Sequence, residues 1–208
     1  MTKPTFKKEK ELWQRGYEHI VGIDEVGRGA WAGPIVAAGV IFENSKVIKG
    51  LRDSKKVTAL RREQLVEEIK AKALSWTIEV LDNNVIDEIG VGQANALVID
   101  KVINGLTIRP QYCLIDKASV KEYKIMIPWE TIVKGDTKIF SIAAASILAK
   151  VARDKIMLKL AKKYPEYGFE LHKGYGTKLH MQKLDEYDIS KIHRKSYKPI
   201  SQRSFLTK

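Results

Sequence analysis

The chain has 208 residues, with 37 Lys plus Arg against 25 Asp plus Glu and a formal net charge of +12. That length suits one domain of ordinary size with a C-terminal appendage, and 44% hydrophobic content excludes disordered and collagen-like chains. The lone Cys113 excludes a disulfide framework or a multi-cysteine zinc site. No secretory pattern or bilayer-length apolar stretch stands out, so a cytoplasmic, non-membrane protein, expected to be a monomer, is the reading.

In chain order, the first strong element is His19–Glu25, a short apolar run ending in two acids. The turn Gly27-Arg28-Gly29 follows, and the apolar, β-branched run Ile35–Phe42 reads as a buried strand forming a hairpin with the first. Thr58 is placed to cap a helix through about Ala73, with Leu60, Leu65, Ile69 and Ala73 assigned to one face. Trp76–Leu81 alternates as a third strand. Val85–Ile89 and Gln93–Ile103 read as short helices, the second stopping near Asn104-Gly105.

Tyr112–Ile115 is a short strand ending at Asp116, and Glu130–Val133 is another, ending before Lys134-Gly135-Asp136. Ile139–Leu160 gives the longest helical pattern. A loop-like stretch from His172 to Thr177 precedes a helix over Leu179–Tyr187, and the basic tail from Ser190 reads as irregular. Strands and helices in this order predict a layered α/β or α+β domain.

Charge is unevenly spread. Residues 1–15, 46–75 and 150–208 carry net charges of +3, +5 and +9, whereas 16–45 and 76–149 carry −3 and −2. Basic flanks around a slightly acidic centre suit a protein that neutralises phosphates while keeping carboxylates at its core.

Four acids, Asp24, Glu25, Asp116 and Asp136, each lie at or just beyond the end of a predicted strand. Any one alone is more readily a turn or capping residue. Strand ends on one sheet edge bring distant residues together, and clustered carboxylates repel one another unless hard cations such as Mg²⁺ or Mn²⁺ sit between them. Two such ions can activate water against a phosphodiester. Adjacent Asp24 and Glu25 pose a difficulty, because neighbours in a regular strand face opposite ways. The glycines at 27, 29 and 33 do not match a dinucleotide fingerprint in spacing, and Pro34 opens an apolar run rather than a helix. The Gly27-Arg28-Gly29 turn instead allows close backbone approach to a ligand, with Arg28 able to grip a phosphate.

The string from Gly22 to Gly29 (GIDEVGRG) resembles the signature of the bacterial ribonuclease HII family. So do Asp53-Ser54-Lys55-Lys56, Lys134-Gly135-Asp136, the run Ala144–Lys150 with Arg153-Asp154, and Tyr167-Gly168-Phe169 through His172-Lys173-Gly174-Tyr175. These motifs occur in the family's order over about residues 20–200. The resemblance implies a ribonuclease H-like mixed sheet flanked by helices over residues 16–160, with a basic C-terminal helical segment over 161–208. It implies a Mn²⁺- or Mg²⁺-dependent endoribonuclease acting on RNA–DNA hybrids and on single ribonucleotides in duplex DNA.

Asp24, Glu25, Asp116 and Asp136 would be its metal-site acids, Gly27, Arg28 and Gly29 its ribonucleotide-sensing loop, and Tyr175 its sugar-stacking tyrosine. Lys55, Lys56, Ser146 and Lys150 are expected phosphate contacts. Lys117, directly after Asp116, departs from the family's usual glycine, and Trp31 replaces a commoner aliphatic residue. His172 reads as structural, and Cys113, inside a predicted strand, as an inert buried thiol.

Overall fold

The computed structural model describes residues 3–43, 48, 50–51, 58–117 and 125–203. Lys55 and Lys56, with the rest of the Asp53–Lys56 motif, lie outside them. A five-stranded sheet is built from β1 (Ile20–Val26), β2 (Ile35–Ile41), β3 (Ser75–Leu81), β4 (Tyr112–Asp116) and β5 (Trp129–Ile132), in the order β3-β2-β1-β4-β5. The β1–β2 and β2–β3 pairs are antiparallel, whereas β1–β4 and β4–β5 are parallel. The expected mixed α/β sheet is therefore present.

The helices are α1 (Lys7–Gln14), α2 (Ala59–Lys72), α3 (Asn83–Gly105), α4 (Phe140–Lys163), α5 (Phe169–His172), α6 (Lys178–Tyr187) and α7 (Lys198–Ser201). On one face of the sheet, α2 and α4 pack over Val36, Ala38 and Val40. On the other, α3 covers Val21, Ile23, Ile35 and Ala37. Alternation along β1 and β2 assigns these sets, because successive side chains leave opposite faces. Strand β1, central and covered on both sides, is almost continuously apolar until its two acids.

Helix α4 lies directly on β1. A Cβ at Gly22 would collide with the backbone of Ser141 and Ile142, so glycine is what lets the helix approach so closely. The first ten residues of α4, Phe140–Ala149, are all buried. Its N-terminus is satisfied from far away in sequence: buried Glu9 of α1 accepts from the backbone N–H of Ser141 at 3.0 Å and from its hydroxyl at 2.8 Å. These bonds occupy donors that a helix start otherwise leaves open.

Several details differ from the sequence reading. Helix α1 was not anticipated. The two predicted helices over 85–103 form one run, broken where Gly90 leaves helical geometry at φ 79°. Thr58 does cap α2, accepting from Arg61 N–H at 3.3 Å, but Leu60 is exposed. Five residues separate it from Leu65, which swings it off the face that Leu65 and Ile69 share one turn apart. The described tail, residues 190–203, is irregular as expected except for the one-turn α7, but His193 and Arg194 are fully buried within it. Cys113 is buried as expected, and burial pushes its thiol up to about 12.

The contact at Gly22 gives a direct test. Gly22→Ala should cost about 2 kcal/mol or more of unfolding free energy, since neither the helix backbone nor the strand can yield cheaply. Urea unfolding measures this, and wild-type stability in the variant would contradict the close approach of α4.

Candidate active site

Strand register places the acids. Ile23 pairs with Ile115 in the parallel β1–β4 ladder, so Asp24 and Asp116, each one residue on, come level at the same edge. Parallel β5 ends beside Asp116 at Ile132, and the chain then turns through Lys134, in the left-handed region at φ 54°, to put Asp136 on the same side. Asp24, Glu25, Asp116 and Asp136 all line one cleft of about 390 Å³, together with Gly27, Arg28, Gly29, Ser146, Lys150 and Tyr175. Glu25 joins Asp24 there because the cleft opens at the end of the strand rather than over one of its faces.

Two of the acids, Asp24 and Asp116, are held by backbone N–H groups. Asp24 Oδ1 accepts from the Glu25 N–H at 2.8 Å, and the Ser146 hydroxyl of α4 donates to the Asp24 carboxylate. Ser146 is buried overall yet lines the cleft beside Asp24. Asp116 Oδ1 accepts from Gly135 N–H at 2.7 Å and from Lys117 N–H at 3.0 Å. Lys117 has no positive φ and its side chain is exposed, so a residue larger than glycine fits after Asp116 without strain.

The electrostatics are those of crowded, buried negative charge. Burial first, and the charges of Asp116 and Asp136 next, push Asp24 up to about 7, against the pull of Ser146 and the Glu25 N–H. Glu25 is held well above the usual carboxyl range by burial and by Asp24 and Asp116, with Arg28 pulling the other way. Its Oε2 is buried without a hydrogen-bond partner.

Among the described residues, no three His, Cys, Asp or Glu side chains are placed closely enough to enclose an ion. The donor set nonetheless fits a hard divalent cation: carboxylate oxygens only, one of them buried and unsatisfied, with Asp24 and Glu25 destabilised by burial and by their neighbours' charge.

Positive groups frame the acids. Lys150 lines the cleft and pairs with Asp154 at 2.7 Å. The Arg153 guanidinium sits 5.1 Å from the Tyr175 ring centroid and donates to the carbonyls of Pro34, Lys173 and Ala32. A Cβ on Gly27 would strike Arg153, and Gly27 has φ 95°, so glycine is required there on both counts.

Residues 21–200 match the sequence profile described as Ribonuclease HII. The chain belongs to the ribonuclease HII family. It is 48% identical over 189 residues to ribonuclease HII of Clostridioides difficile, covering 91% of this chain and 73% of that one. The Acholeplasma laidlawii ribonuclease HII is 46% identical over 193 residues, covering 93% and 94% of the two chains. Among solved structures, ribonuclease H2 of Pyrococcus horikoshii OT3 superposes with a TM-score of 0.79 at 27% identity, covering 91% of this chain and all of that one. Family membership makes the protein a hydrolase of the endoribonuclease kind. No helix among the described residues is long and apolar enough to cross a membrane.

Sequence reasoning did not anticipate the layer behind Tyr175, where three histidines pack around Phe169. Ser190 N–H donates to His193 Nδ1 at 2.8 Å, so His193 carries its proton on Nε2. That Nε2–H donates to His180 Nε2 at 3.0 Å, which leaves the His180 proton on Nδ1, donating to the Tyr175 carbonyl at 3.1 Å. The ring of His172 stacks on His180 at 4.3 Å and accepts from Gly174 N–H. The scattered spacing of 172, 180 and 193 hides this cluster, which forms only when α5, α6 and the tail close on one another.

Burial lowers His180 to about 3 and His193 to about 4, so both rings stay neutral where the unfolded chain takes up protons near pH 6.5. Their contribution to stability is full above pH 6.5 and is lost as pH falls toward 4. A ¹⁵N NMR titration should find the His193 Nε2–H and His180 Nδ1–H tautomers unchanged between pH 8 and pH 5. Protonation of either ring near pH 6.5 would contradict the hydrogen-bond chain.

Proposed function

We propose that this enzyme hydrolyses the RNA strand of RNA–DNA hybrids and incises 5′ to single ribonucleotides embedded in duplex DNA. The ends left would be 5′-phosphate and 3′-hydroxyl. The observation that carries this reading is the shared cleft: four carboxylates, a Gly-Arg-Gly turn and a tyrosine, drawn from four separate segments of the chain, line one depression.

Asp24, Glu25, Asp116 and Asp136 would hold Mn²⁺ or Mg²⁺, relieving the mutual repulsion that burial imposes on them. Bound there, such ions supply Lewis-acid activation of water and stabilisation of the leaving oxygen. The chain's own groups do the rest. Ser146 and the Glu25 N–H fix the orientation of Asp24, while Gly135 and Lys117 amides fix that of Asp116. Arg28 and Lys150 would contact phosphates on either side of the cut, with Lys55 and Lys56 as further contacts.

Telling RNA from DNA requires reading a 2′-hydroxyl. The Gly27–Gly29 backbone can do so by hydrogen bonding, because it reaches the cleft with no side chain at either glycine. Tyr175 offers a ring to stack on the adjoining deoxyribose, where an extra hydroxyl would crowd it. The basic segment from 150 onward would grip the duplex without regard to sequence, so binding should weaken steeply with salt.

The test is cleavage of two substrates side by side, a duplex DNA with one ribonucleotide and a long RNA–DNA hybrid, each with Mn²⁺ or Mg²⁺. A cut 5′ to the ribonucleotide is expected, and binding without cleavage would contradict the proposal. Asp24→Asn should lower turnover by on the order of a hundredfold or more while leaving DNA affinity within a fewfold. Full activity in that variant would overturn its assignment as a metal-holding acid.

A further inference from the structure

The turn that would read the ribonucleotide is held from behind by the C-terminal tail. Arg194 is fully buried and among the described residues forms no ion pair; its donors go to carbonyls and one hydroxyl. Nε and Nη2 both donate to the Gly33 carbonyl, at 3.0 and 2.8 Å. Nη1 donates to the Arg28 carbonyl and to the Tyr197 hydroxyl, each at 2.9 Å, and the Tyr197 hydroxyl itself donates to the Arg28 carbonyl. Two side chains thus converge on one backbone oxygen in a loop more than 160 residues away.

The tail is anchored to do this. Asp87 of α3 accepts from the N–H groups of Lys195 and Ser196, both at 2.9 Å, and Arg194 N–H donates to the Trp31 carbonyl at 2.8 Å. A buried guanidinium without a carboxylate partner is costly to maintain, so its complete use on loop carbonyls points to a role in that loop.

That role follows from turn geometry. Ala30 N–H donates to the Gly27 carbonyl at 3.2 Å, closing a four-residue turn whose central peptide joins Arg28 to Gly29. Type I and type II turns differ in that this central peptide is turned over by roughly half a revolution. Type II needs positive φ at the third residue, which glycine adopts freely. Gly29 does not have positive φ here, so the turn is held in the other form, with the Arg28 carbonyl against Arg194 and Tyr197. In a trans peptide the C=O and N–H point oppositely. The Gly29 N–H is therefore directed away from the clamp; Gly29 is exposed, lines the cleft, and its N–H has no hydrogen bond among the described residues.

We infer that Arg194 and Tyr197 are positioning residues that lock the Arg28–Gly29 peptide with its N–H presented to the ribonucleotide. Neither lines the cleft, and neither touches the reacting atoms. Glycine at position 29 allows the backbone to come close to the sugar but also permits the flipped turn; the clamp removes that second state. This inference rests on the substrate proposed above, and its test separates the two.

The decisive variant is Tyr197→Phe, which removes one donor to the Arg28 carbonyl and keeps the ring; Arg194→Lys, which keeps the charge but loses the fork, is the second. Cleavage of the single-ribonucleotide duplex should slow about five- to tenfold at saturating substrate in Tyr197→Phe. KM should stay within about twofold and the melting temperature within a few degrees; Arg194→Lys should lose more. In ¹⁵N NMR spectra the Gly29 amide signal should shift in Tyr197→Phe, while signals across the sheet stay in place. A wild-type rate together with an unmoved Gly29 signal would overturn the inference. So would a rate loss that only follows a lost folded fraction. If the wild-type enzyme fails to cut beside the ribonucleotide, the substrate reading falls instead, and the Gly29 signal alone decides whether the clamp sets the turn.

Discussion

Burying carboxylates beside one another is the constraint on which the rest of this structure depends. Asp24 and Asp136 are each only 7% exposed, and Asp24 is pushed up to about 7 by its surroundings. A stable fold can hold such charge only if the backbone fixes it firmly and something of opposite sign can reach it. The sheet does the fixing. Because β1 is antiparallel to β2 but parallel to β4, and β4 to β5, three strands end at the same edge, and their successors cannot avoid meeting there. Helix α4, pressed against β1 at Gly22, closes the floor and supplies the Ser146 hydroxyl to Asp24.

The second half of the cleft is built from the other end of the chain. Arg153 near the middle of α4 and Arg194 in the tail are both fully buried and both donate to carbonyls between Arg28 and Pro34. The histidine chain from Ser190 to the Tyr175 carbonyl ties the tyrosine to the same tail. Part of the positive charge of residues 150–208 is thus internal scaffolding rather than a solvated surface, which narrows what the net charge of +12 can say about nucleic-acid grip.

What the sequence made legible follows from physical range. Strands β1, β2 and β4 announce themselves as apolar, β-branched runs, and the acids at their ends follow from position alone. The Thr58 cap and the break at Gly90 are likewise local signals, and the motif strings led to the family. Long-range partnerships left no such trace. Helix α1 is an unremarkable basic stretch until Glu9 is seen to cap α4 from 132 residues away. Ser146 reads from its motif as a phosphate contact, whereas its bond to Asp24 depends on how α4 crosses β1. Arg194 looks like one more cation of a basic tail, because within the tail only the Tyr197 hydroxyl accepts from its side chain; its other acceptors lie in the β1–β2 loop. His180 and His193 lack metal-like spacing because they serve one another.

In the proposed divalent-cation site, Asp24, Glu25, Asp116 and Asp136 would carry their mutual repulsion as a cost that the cation removes. Thermal unfolding of wild type and Asp24→Asn with increasing Mn²⁺ tests this without reference to activity. The account predicts that Mn²⁺ raises the wild-type melting temperature in a saturable way, by the binding free energy linked to the folded state. Asp24→Asn should show little or no rise. A wild-type melting temperature indifferent to Mn²⁺, or an equal rise in the variant, would contradict it.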